Sequence, residues 1–169
     1  MEIKYKKSQV ILHWISAVVI IWGTLSGFYV ALFDFAAHHK EWVGFLNVSL
    51  TTLFIPVFIL RVGCALRYGK PKCSPLSEHQ ERIAKKAHLL IYANITLVMI
   101  TGVLMMERDI NVFNIISFAQ PLQDPLLTHL FNQAHKFSCA TLGVLVIGHI
   151  FAVIKHHRNG HNILKRMTF

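Results

Sequence analysis

Four stretches of this 169-residue chain contain no Asp, Glu, Lys or Arg: 8–33, 42–60, 87–106 and 137–154. They run for 26, 19, 20 and 18 residues. A bilayer core takes about 20 helical residues, so each stretch is long enough to cross one. In hydrocarbon every backbone N–H and C=O must find a partner within the chain, which makes such spans helices. The competing reading, a soluble α-bundle with very apolar helices, leaves the basic flanks of all four runs unexplained. Composition agrees with a membrane protein: 54% of the residues are hydrophobic, well beyond an ordinary soluble domain. The first run is too long for a signal-peptide core and is followed by no clean small-residue cleavage site, so it reads as a retained span.

The charges give the orientation. The net charge is +9, and 14 of the 17 Lys and Arg fall on one side of the four spans. Only Lys40, Arg108 and Lys136 fall on the other. The positive-inside rule then places both termini in the cytoplasm. It also accounts for the basic balance without a nucleic-acid partner. The cluster Arg82, Lys85 and Lys86 reads first as part of this belt and second as an attractor of anions.

The expected fold is an all-α integral membrane four-helix bundle, up-down, forming one domain over 1–169. Helices are expected over about 9–33, 42–66, 83–106 and 134–156. The connection 107–133 is the longest, broken by Pro121 and Pro125, with PLLTHLFNQAH as the start of a short helix leading into the fourth. Pro56 is expected to kink the second helix unless neighbours re-satisfy the freed carbonyl. Gly23 and Gly27 form a GxxxG, a spacing for close helix approach. Gly143 and Gly148 make room for a flat ligand. The three cysteines, Cys64, Cys73 and Cys139, form no CxxCH, so covalent c-type haem is not indicated. Cys64 and Cys73 fall where disulfides are disfavoured, and Cys139 reads as a small packing residue.

The chemistry rests on histidine. Of eleven, His38, His39, His79, His129, His157 and His161 fall in loops or tails and read as solvated groups. His13, His88, His135 and His149 lie in or at the ends of spans, where an ionisable residue is a functional candidate by default. His135 and His149 are fourteen residues apart. On one helix that is about 21 Å along the axis and about 40° in azimuth, so both point to nearly one face, near opposite membrane surfaces. Two metal centres stacked across a bilayer would need this arrangement, and electron transfer would suit it. His13 and His149 fall at one depth, on the side of the termini. Imidazoles from facing helices commonly hold haem iron through both axial positions. Zinc is the competing metal, but it wants four ligands, usually including Cys or carboxylate, which the spans scarcely offer. His88 is a third candidate at that depth, as a replacement ligand, a proton gate or a quinone partner. His156, seven residues beyond His149, is a second-choice ligand.

The segments KYKKSQVILHW (4–14), KKAHLLIY (85–92) and HKFSCATLGVLVIGH followed by KHH (135–149 and 155–157) resemble the bacterial cytochrome b561 family. These are four-helix b-type cytochromes of the bacterial inner membrane, related to the cytochrome b subunits of hydrogenases and formate dehydrogenases. The resemblance covers nearly the whole chain. It implies two haems b: an inner one on His13 and His149, and an outer one on His135 and a histidine of the second helix. At that second-helix position this chain carries Asn47, fourteen residues before Arg61. Three outcomes follow: His135 holds the outer iron alone, His38 or His39 reaches in, or the outer haem is absent. The resemblance further implies quinone-linked electron transfer, with superoxide:ubiquinone oxidoreduction in at least one branch and ubiquinone as the substrate. A haem-bearing anchor for a dehydrogenase or hydrogenase, docking a redox partner protein, is the first alternative. A non-haem transporter with a histidine proton relay is the second.

Overall fold

The computed structural model describes residues 4–33, 36–71, 76–161 and 163–168. Four long helices dominate: α1 (Lys7–Leu32), α2 (Ala37–Tyr68), α3 (Glu78–Leu104) and α4 (Pro125–Arg158). All four are long and apolar enough to cross a membrane. Between α3 and α4 lies a short hairpin, β1 (Ile110–Val112) and β2 (Ile116–Phe118), and a 3-10 turn, η1 (Leu164–Met167), follows α4. Cys73, named from the sequence, lies outside the described residues.

The helix ends follow local chemistry. Ser77 caps α3: its hydroxyl accepts from the Gln80 amide at 3.3 Å, while the Gln80 side chain accepts from the Ser77 amide at 3.1 Å. This reciprocal pair satisfies two amides that the first turn leaves without partners. Asp124 caps α4 by accepting from the Leu126 and Leu127 amides at 2.8 and 3.3 Å. Pro125 then occupies the first helical position, where its missing N–H costs nothing. PLLTHLFNQAH is therefore no separate helix; it is the first three turns of a 34-residue α4. α2 ends at Gly69, whose φ of 62° suits the residue without a Cβ.

α1 packs along α2 and α3 along α4, while α1 and α4 touch only thinly. The four-helix core is small and aromatic: Phe54 and Phe58 of α2 meet Ile95 of α3 and Leu142 of α4. Large apolar residues such as Val18, Leu25, Leu89, Phe137 and Val144 point outward instead, as lipid-facing side chains do. The fully buried polar residues are small, and their hydroxyls turn back to the chain: Ser16 to the Leu12 carbonyl at 2.6 Å and Ser138 to the Ala134 carbonyl at 2.7 Å. No such hydroxyl is left unsatisfied at these positions, as an apolar surround requires.

Two features go beyond a plain bundle. The hairpin is pinned to α2 by Ser49, which donates to the Asn111 carbonyl at 3.3 Å and accepts from the Phe113 amide at 3.1 Å. Phe113 and Asn114 take the left-handed conformation that this tight reversal needs. The C-terminal segment folds back on the start of α1. The Trp14 indole donates to the Met167 carbonyl at 2.9 Å. The Tyr5 amide donates to the Arg166 carbonyl at 3.2 Å, and the Arg166 guanidinium lies 5.7 Å from the Tyr5 ring. Burial pushes the Tyr5 hydroxyl above its ordinary pKa, and the nearby Arg166 partly opposes this.

Candidate functional site

Near the end of the bundle that holds both termini, all four helices contribute to one polar cluster. α1 supplies His13, α2 Arg61, α3 His88 and α4 His149. His13 lies within electrostatic range of the other three. The Arg61 guanidinium donates to His13 Nδ1 at 3.1 Å and lies 5.1 Å from the Tyr92 ring. Arginine is a donor only, so Nδ1 is the accepting nitrogen and the proton of neutral His13 sits on Nε2. His88 points Nδ1 at the Ala84 carbonyl at 2.6 Å. A carbonyl only accepts, so His88 carries its proton on Nδ1 and keeps a lone pair on Nε2. The His88 ring meets the His149 ring edge to face, with centroids 5.3 Å apart and planes at 73°. Gly148, beside His149, is exposed on the outer side of α4, and a Cβ added there would meet nothing within 4 Å.

Toward the other end, His135 projects from α4 against α3. Its Nδ1 lies 3.1 Å from the Val98 carbonyl and 3.2 Å from the Thr101 hydroxyl. The carbonyl fixes the proton on Nδ1. Nε2 keeps its lone pair and faces Cys139 Sγ at 3.4 Å. This is the tautomer a metal-bound histidine takes, with the far nitrogen donating to a backbone carbonyl. The ring packs against Gly102, where an added Cβ would stand 3.0 Å from Cε1. Gly102→Ala is expected to push the ring off α3 and to lower stability by about 1–3 kcal/mol, the usual range for overpacking. Thermal unfolding in detergent would measure it, and an unchanged midpoint would show that the ring yields freely.

His135 lines a cavity of about 120 Å³ together with Gly23, Asn47, Thr51 and Cys139. Asn47 Oδ1 is buried there without a hydrogen-bond partner. It faces Gly23, where an added Cβ would stand 3.4 Å away. Neither His38 nor His39 lines this cavity; both sit in the first turn of α2, with His38 against Trp42. His156 stands apart from the cluster, its ring 6.1 Å from that of His161 and its Nδ1 buried without a partner.

The sequence reasoning thus named four histidines that the fold sorts into two groups, one of three and one of one. Both α4 rings meet α3, as their near-common azimuth predicts. The reasoning missed Arg61, which it counted in the basic belt. In the structure Arg61 stands seven residues inside the end of α2, about 10 Å along the axis from the helix terminus, and its contacts with His13 and Tyr92 set it apart. It also missed Thr101, Val98 and Gly102, which seat His135 and carry no pattern of their own.

A membrane-spanning bundle that presents imidazoles at two depths between its helices has the make-up of a membrane b-type cytochrome. The chain belongs to the prokaryotic cytochrome b561 family, whose model matches residues 4–169. No curated protein matches it. Membership makes it a multi-pass bacterial membrane protein that binds haem b and carries electrons.

The residues fit that group to different degrees at the two ends. At the end of the termini the donor set is ample: three imidazoles, of which His88 has a lone pair on Nε2 and His149 shows no hydrogen bond at either ring nitrogen among the described residues. His13 fits once its proton moves to Nδ1 and Arg61 releases it. At the other end His135 is in the ligating tautomer, and the side chain across the cavity on α2 is an amide.

Proposed function

We propose that this cytochrome exchanges electrons with the quinone pool. In this reading His13 and His149 hold one haem b near the cytoplasmic surface, and His135 holds a second iron toward the opposite face, with Asn47 across from it. Bound haem b supplies one-electron Fe(III)/Fe(II) chemistry. The chain's own residues bind the iron, keep water out of the helix core and fix which ring nitrogen carries a proton. The observation that carries the reading is the convergence of His13, His88 and His149 from three helices at one depth. Two supports are added. α1 and α4, the helices that carry His13 and His149, pack only thinly against each other, which suits a flat group held between them. The belt of exposed apolar side chains on every helix gives a lipid-soluble quinone access from the bilayer.

The same observation favours one second reading, in which His88 replaces His13 as the partner of His149. The 5.3 Å contact between those two rings is its support.

The test is reduction of the purified protein in lipid nanodiscs by a short-chain ubiquinol, followed through the b-type absorption bands. Bleached bands without quinol, or bands indifferent to quinol while dithionite still reduces them, would overturn the quinone assignment. Supplying superoxide with ubiquinone in a parallel arm asks whether superoxide is the donor. Co-purification of a dehydrogenase or hydrogenase in mild detergent would favour the anchor role instead.

A further inference from the structure

Arg61 is a permanent cation about 10 Å inside the end of its helix. A cation that turns toward the inside of a membrane bundle tends to face a functional centre. Its hydrogen bond goes to the neutral lone pair of His13 Nδ1 at 3.1 Å, and the Tyr92 ring backs it at 5.1 Å. Among the described residues no carboxylate forms an ion pair with it. Yet His13 cannot keep both this partner and an iron. An iron bond at Nε2 needs the lone pair of that nitrogen, so the Nε2 proton moves to Nδ1, and Nδ1 becomes a donor facing a donor. The guanidinium must then turn to another acceptor within reach. Tyr92 keeps it close, and His88 and His149 lie within its electrostatic range, so the acceptor has to arrive at the same depth as the iron.

We propose that Arg61 is the positioning residue for a carboxylate of the haem side chains, handing His13 Nδ1 over to its proton and pairing instead with that carboxylate. The proposal rests on the reading that His13 and His149 hold haem. Haem b brings two propionates on one edge of a flat ring. A guanidinium presents a planar fork of N–H donors that matches a carboxylate two-to-two. The pair would neutralise both charges, set which edge of the ring faces the terminal end of the bundle, and leave His13 in its ligating tautomer.

The test separates the carboxylate from the ring. Haem-depleted protein in detergent is titrated with haem b and with haem b dimethyl ester, which keeps the iron and lacks the charges. The wild-type chain is expected to hold haem b about tenfold or more tightly than the ester, the scale of one charge-assisted hydrogen-bonded pair. In Arg61→Gln that preference is expected to shrink to within about twofold, and Arg61→Lys, which keeps the charge but not the fork, is expected to recover only part of it. An equal preference for haem b over the ester in wild type and Arg61→Gln would overturn the proposal. The ester arm in the wild-type chain needs no substitution, so poor folding of a variant does not blunt it. Failure of the underlying reading looks different: His149→Ala would then bind both haems as wild type does.

Discussion

His149→Ala is expected to lower the haem content by about one per chain, measured as pyridine haemochrome against protein, and to remove the six-coordinate low-spin signal from that site. It lies on α4 with its ring against that of His88 and within electrostatic range of His13. His13→Ala is expected to have the same effect. His88→Ala is expected to keep the haem, because in the proposed reading His13 and His149 already supply the two histidines and His88 serves as a neighbour to the His149 ring. The three variants together decide the axial pair. If His88→Ala empties the site and His13→Ala leaves it loaded, the partner of His149 is His88. If all three keep their haem, the histidine assignment is wrong.

The second large effect is a gain. Asn47→His is expected to place an imidazole across the outer cavity from His135 and to convert a one-imidazole iron site into a two-imidazole site. Asparagine is a weak iron ligand. In the wild-type chain the reduced outer iron is therefore expected to take up about one carbon monoxide per chain, and the variant close to none, because both axial positions are then filled by histidine. The substitution also replaces the amide whose Oδ1 is buried without a partner, a defect that costs about 1–3 kcal/mol where it occurs. The cavity that Asn47 lines together with Gly23 and His135 is where the larger ring would enter. If the reduced wild-type protein takes up no carbon monoxide and carries a single haem, His135 binds no iron, and an Asn47→His chain that carries one more haem would show why.

The two sites differ in how they could be read from sequence. A histidine within a charge-free run is conspicuous, because the surrounding residues fix its solvent as hydrocarbon. His13, His88, His135 and His149 were legible for that reason, and helical periodicity put His135 and His149 on one face. Arg61 was not, since a basic residue closing an apolar run is what positive-inside topology produces anyway. Only packing against His13 and Tyr92 tells it from a belt residue. The seat of His135 was invisible for another reason. Val98 acts through a backbone carbonyl and Gly102 through the lack of a side chain, and neither leaves a chemical signature in the chain.

Other differences have the same origin. The stretch 107–133 carries prolines and turn formers, which speak for a long connection. The hairpin Ile110–Phe118 and the early start of α4 depend on Ser49 and Asp124 meeting backbone amides, one from far along the chain. The return of the C-terminal segment depends on the Trp14 indole finding the Met167 carbonyl; no local pattern encodes a contact across so many residues.

Run length and the absence of charge were enough by themselves to determine four spans, because hydrocarbon leaves a peptide backbone little choice but the helix. The residue types in those spans were enough to mark where a metal-binding centre must be sought. Only the tertiary structure decided which nitrogen of each ring carries its proton, that Arg61 stands on His13, and that His135 faces an amide across its cavity. Those are properties of pairs of groups brought together by packing between helices, and they exist only once the helices have met.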